Sequence, residues 1–257
     1  MKLQSLGALL FLVLAGPLPA QIILSDSGDT FVSQHVPTAN YHNASDQTSA
    51  TDLLEVKKDL VSGDYNRLAY IQFDLSAYTP SEISDATLTL NFGPLAGGTV
   101  TAGSTWTLDL YGLNSAAVSS ASGLGVGSMT WNNTVTSGGF TGFHNATGTG
   151  VINATLLGTI TVTTSGSGTV WNTTGVNLDS YLQGSGTTAA FVLNRITDAT
   201  NGNGIQSIYN STAGSLAPKL TFTVPTPEPN SAMLIVTGIA VFAFMIVRRQ
   251  SFSKDKA

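Results

Sequence analysis

Between residues 21 and 224, apolar side chains recur at every second position in short runs, and nowhere do they sustain a helical period. Ala69, Ile71, Phe73 and Leu75 alternate with Tyr70, Gln72 and Asp74. Ala86, Leu88, Leu90 and Phe92 alternate with Thr87, Thr89 and Asn91. Trp106, Leu108 and Leu110 enclose Thr107 and Asp109, Ile160 and Val162 are flanked by threonines, and Leu220, Phe222 and Val224 enclose Thr221 and Thr223. A period of two sends one set of side chains to a buried sheet face and the other outward. Threonine suits the outward, pleated face.

Glycine punctuates the runs, at Gly93-Pro94, Gly97-Gly98, Gly138-Gly139, Gly166-Ser-Gly168, Gly184-Ser-Gly186 and Gly202-Asn-Gly204. Many short strands joined by such turns define an all-β chain, and the pattern predicts one antiparallel jelly-roll β-sandwich. Only Leu178-Asp-Ser-Tyr-Leu182 has room for a helical turn. Residues 112–150, low in charge and rich in Gly, Ser, Thr and Asn, are predicted as long loops around one strand at Met129-Thr-Trp131.

The body of about 200 residues is large enough to bury a core of its own. It must do so, because the chain has no cysteine and therefore no disulfide. From residue 22 to residue 226 there are 13 acids against five bases, a net charge of −8. Such a surface repels nucleic acid and offers no basic stripe for phosphates, which excludes that class of partner.

Both ends of the chain point to export. Lys2 and the apolar stretch 6–14 precede Gly16-Pro17 and Leu18-Pro19-Ala20, the layout of a signal peptide over residues 1–20, cut by signal peptidase after Ala20. At the other end, Pro227-Glu228-Pro229 precedes an uncharged run of 16 residues, 232–247, and then Arg248-Arg249. As a helix the run would span roughly 24 Å, slightly short of a usual bilayer crossing. The arginine pair would hold its end on the cytoplasmic side and leave the body outside. Triplet, apolar run and basic pair over residues 225–257 resemble the PEP-CTERM sorting signal of bacterial exported proteins. The resemblance implies transient anchoring in the inner membrane and cleavage near Pro227-Glu228-Pro229 by an exosortase-type membrane protease. It also implies delivery to the cell surface or extracellular matrix. An anchor that is never cut is the competing reading.

The body, residues 21–224, carries a second series of motifs. In order they are Asp29-Thr-Phe31-Val32, Pro37-Thr-Ala-Asn40-Tyr41, Leu54-Glu-Val56-Lys57 and Arg67-Leu-Ala69-Tyr70-Ile-Gln-Phe73-Asp74-Leu75. Asp85-Ala86-Thr87-Leu88-Thr-Leu90, Thr130-Trp131-Asn132 and Pro218-Lys219-Leu220 come next. This order resembles the DNRLRE-type domain, related to carbohydrate-binding module family 96. The resemblance implies polysaccharide binding, with Lys57 and Arg67 at matching positions and Arg195 on a neighbouring motif. Where relatives carry Ser, a basic residue and Glu, this chain has Ser211-Thr212-Ala213, which removes one positive group from that surface.

Other candidates are weighed on chemistry. Lys57, Arg67 and Arg195 can pair with uronate carboxylates if they converge. The competing account is ion pairing with Glu55, Asp59 or Asp74, or packing of their aliphatic stems. Trp106, Trp131, Trp171, Tyr41, Tyr70 and Tyr209 can build a flat platform for sugar rings, yet Trp106 lies in phase with core leucines. His35, His42 and His144 show no metal-ligand spacing. The stretch 198–204 fails the calcium-loop pattern at Gly202 and Tyr209, which leaves a structural calcium at Asp26 or Asp29 as an alternative. No nucleophile motif of the Gly-x-Ser-x-Gly type in a strand–turn–helix setting is present. The body is expected to have no catalytic activity, and its rival, a polysaccharide-active enzyme, needs two carboxyls facing each other across a groove.

Overall fold

The computed structural model describes residues 19–42, 52–58, 65–94, 105–114, 126–136, 154–163, 170–174, 176–197 and 204–226. The signal peptide but for its last two residues, the Pro227-Glu228-Pro229 triplet, the 232–247 run and Arg248-Arg249 lie outside them. Among the described residues no helix is long and apolar enough to cross a membrane. The chain divides into two units, Gln21–Thr223 and Met1–Ala20 with Val224–Ala257. The first of these is the body.

The body is all-β. Its strands are β1 (Ala20–Ser25), β2 (Gly28–Ser33), β3 (Leu53–Val56), β4 (Arg67–Asp74), β5 (Ser84–Asn91) and β6 (Thr105–Leu113). Then come β7 (Ala154–Thr163), β8 (Val170–Thr174), β9 (Thr188–Arg195), β10 (Gln206–Tyr209) and β11 (Lys219–Val224). One sheet runs β1-β11-β5-β8, another β2-β4-β9-β6-β7, and β10 pairs with β3 as a two-stranded sheet. Non-consecutive neighbours in both larger sheets mean that the chain crosses between them. Along β5 burial alternates as the period of two predicts, with Ala86, Leu88 and Leu90 inward.

The five-stranded sheet departs from simple alternation because both its faces are covered. Tyr70, predicted to point outward, is 1% exposed and packs with Val32, Leu68, Tyr111 and Val192. Met129, Trp131 and Val135 lie over this face. They come from the segment predicted as a strand at Met129-Thr-Trp131, and that prediction is corrected. A short 3₁₀ turn (Val126–Ser128) and a π-helical turn (Asn132–Thr136) flank Met129 instead.

The reason is local hydrogen bonding. The Asn133 side chain accepts from the Thr130 N–H and donates to the Ser128 carbonyl, while the Thr134 hydroxyl donates to the Thr130 carbonyl. Such side-chain bonds compete with a strand ladder for the backbone. The cap is anchored from the Pro37-to-Tyr41 loop, where the Asn40 amide donates to the carbonyls of Val126 and Met129 at 2.8 Å each. Burying Met129 alone contributes about 2 kcal/mol.

The helical turn predicted at 178–182 is a full helix, α1 (Val176–Gly184). Leu178 and Leu182, one turn apart, are fully buried, and the Asp179 carboxylate accepts the Ala86 N–H, fastening α1 to β5. The Tyr181 hydroxyl donates to the Ala190 carbonyl and accepts the Ala190 N–H. Its ring lies so close to Gly112 that a Cβ there would come within 2.7 Å.

Candidate functional site

Strand register pairs two of the three predicted cations. Lys57 and Arg67 exchange backbone hydrogen bonds in an isolated bridge just beyond β3. β2 takes the opposite edge of β4, where Ser33 faces Arg67, so Lys57 shares its edge with β9, whose pairing ends at Ala69 and Leu193. Arg195, at the end of β9, faces Leu108 of β6. Lys57 and Arg67 therefore form a cross-strand row, with Arg195 on the strand next to β4.

Lys57, Arg67 and Arg195 are all buried, at 4%, 1% and 0% exposure. The Arg67 Nε lies 3.1 Å from a Glu55 carboxylate oxygen, also fully buried. The distance makes an ion pair although the angle falls short of a hydrogen bond. The Arg195 guanidinium lies over Trp106, 3.8 Å from its ring centre, and donates to the carbonyls of Thr197 and Gly204. Lys57 sits 4.9 Å from the ring centre of Tyr65. Lys58, equally buried, donates to the Ile196 carbonyl. Ion pairing with Glu55 and packing on aromatic faces thus occupy the row.

The outer end of the row reaches solvent through rings. His35 is exposed and stacks on the partly buried Tyr65, with ring centres 4.2 Å apart. Motif and composition assign Tyr65 and Lys58 no role at this site, and Glu55 only that of a competing ion partner. The signal that could have found them is proximity in sequence to Lys57 and Arg67, since Tyr65 precedes Arg67 by two and so shares its side of an extended chain.

The other aromatic candidates are mostly core. Trp106 and Trp131 are each 5% exposed, Tyr41 is 7% exposed and stacks on Phe31, and Tyr70 is buried. Tyr209 is half-buried at the end of β10. Trp171 has its backbone in β8 opposite Leu90, but its side chain lies outside the described ones. His42 approaches the Asp29 carbonyl with its Nδ1 at 2.7 Å, and His144 lies outside the described residues. Residues 198–203 of the calcium-like stretch lie outside them too. Among the described residues no group of three or more His, Asp or Glu gathers to hold a metal.

Two acids do meet, at Asp26 and Asp29. Burial, then hydrogen bonding to Asp29 and its charge, push the Asp26 carboxyl from about 3.8 up to about 8. A raised carboxyl beside a second one suggests a general acid and its partner. The carboxyls of a glycosidase face each other across a groove that admits substrate or water. Here both Asp26 oxygens and Oδ1 of Asp29 are shut from solvent. A shallow cavity of about 240 Å³ opens elsewhere, lined by Leu113, Thr155, Tyr181 and Ser185 among others. No carboxylate is among its described lining residues.

No family model matches the chain, and no curated protein matches it. Among solved structures the chain is similar to that of the Macrobrachium rosenbergii nodavirus, at 12% identity over 83% of this chain and 55% of the viral one. The chain spans about half the length of that viral chain, and the TM-score of 0.18 lets the likeness carry no argument.

Proposed function

We propose that the protein is exported and held briefly in the inner membrane. An exosortase-type protease then cuts it near Pro227-Glu228-Pro229 and releases it to the cell surface or extracellular matrix. There its body, a jelly-roll β-sandwich, binds polysaccharide and catalyses no reaction. The export half rests on the order of leader, triplet, apolar run and arginines. The observation that carries the binding half is the exposed His35 ring stacked on Tyr65, with Lys57 behind it. A ring pair backed by a cation can take the flat face of a sugar and attract its acidic groups. The net charge of −8 favours a neutral or weakly acidic polysaccharide over a densely anionic one.

Affinity electrophoresis of the surface-released protein through gels loaded with neutral or acidic polysaccharide tests the binding half. Retention should fall in His35→Ala, which removes the exposed ring and leaves Tyr65 packed on Lys57. Intact mass of the released protein tests the export half, and recovery of a species still carrying residues 232–247 would defeat it.

A second reading has its own observation. The burial of Lys57, Arg67 and Arg195 fits a purely structural surface protein that holds its place by packing. No retention on any polysaccharide would leave that reading standing.

A further inference from the structure

The corner between β1 and β2 holds a pair of carboxyls with no basic partner among the described residues. Asp26 lies in the turn, and Asp29 on β2 is wholly buried. Asp29 Oδ2 accepts the Ser211 N–H at 2.5 Å, which ties the corner to the turn after β10. The other three oxygens, both of Asp26 and Oδ1 of Asp29, are buried and accept no hydrogen bond from the rest of the described protein. Two ionised carboxylates placed so repel each other strongly where the dielectric is low. One proton between them removes the repulsion and converts a bare acceptor into a donor.

We propose that Asp26 and Asp29 share a single proton that latches the β1–β2 corner onto the turn at Ser211, and that loss of this proton in alkaline surroundings loosens the corner. The upward displacement of the Asp26 carboxyl to about 8 agrees with a shared proton. The titratable and charged groups on the elements packed around the pair are His42 beyond β2, Glu55 and Lys57 at β3, Arg67, Tyr70 and Asp74 on β4, Tyr209 on β10, and Lys219 on β11. Of these none acts on the Asp26 carboxyl, whose one charged neighbour is Asp29.

The test is thermal unfolding of the full chain in EDTA, from about pH 6 to about pH 9. The melting temperature should fall with pH in the native chain and stay level in Asp26→Asn. The amide of that variant can donate to Asp29 without a charge. Because a variant can fold poorly, carboxyl-carbon NMR titration of the unaltered chain gives an independent answer. One aspartate should titrate in the range of about pH 7 to 9, far above its fellows. All aspartates titrating below about pH 6, or an unchanged fall in Asp26→Asn, would overturn the proposal. So would a rise in melting temperature on adding calcium at alkaline pH that Asp26→Asn abolishes, since a metal would then sit where the proton is assigned.

Discussion

Glu55 on β3 and Asp29 on β2 are both wholly buried, yet Glu55 faces Arg67 at 3.1 Å while Asp29 faces another aspartate. At Glu55 the charge is kept and balanced by the cation. At Asp29 there is no cation within the described surroundings, and it is the neighbouring Asp26 carboxyl that takes up a proton. Desolvation costs the same kind of free energy in both places, several kcal/mol for an ion left without a partner. The difference teaches that a buried carboxylate here is not by itself a sign of chemistry. Its surroundings decide whether it is an architectural ion pair or a titrating group.

The largest expected effect breaks the balanced end. Arg67→Met should destabilise the body by about 3–5 kcal/mol, because Glu55 loses the Arg67 cation while it stays buried, as measured by urea unfolding. Adding Glu55→Gln to it should recover a good part of that loss, so the double variant falls well short of the sum of the singles. Additive losses would mean that the two side chains act independently.

At the proton-balanced end, the sign follows from the raised Asp26 value. Its contribution to stability is fully present below about pH 3.8 and is lost as pH rises through about 8. The fall should be visible in denaturant midpoints taken at neutral and at alkaline pH. The smallest effect is Arg195→Lys, which gives up the guanidinium over Trp106 and should cost about 1 kcal/mol. A loss as large as that of Arg67→Met would show that Arg195 balances a buried acid too.

Strands are legible in the sequence wherever one face alone meets the core. β5, with Ala86, Leu88 and Leu90 buried in alternation, follows the pattern. β4 does not, because Tyr70 is covered by a segment about 60 residues further on, whose fold is set by Asn133 and Thr134 bonding their own backbone. Periodicity is blind to such a cap. In α1 the apolar pair Leu178 and Leu182 is visible in the sequence, but the helix's length depends on anchors such as Asp179 to β5, which are tertiary.

The sequence allows the convergence of Lys57, Arg67 and Arg195 only as a condition, and it gives no sign of their burial. Burial there depends on Glu55 and Trp106 arriving from other strands, at distances no spacing in the chain encodes. Asp26 and Asp29 stand out in the sequence as alternatives for a metal, whereas their direct contact becomes visible only in three dimensions.

The most direct test of the contrast is urea unfolding of Arg67→Met and Asp26→Asn side by side, at about pH 9, against the native chain. Each change removes one formal charge from a buried site. The two-ended account predicts opposite signs: a loss of about 3–5 kcal/mol for Arg67→Met and a gain in stability for Asp26→Asn. Two losses of similar size would contradict it.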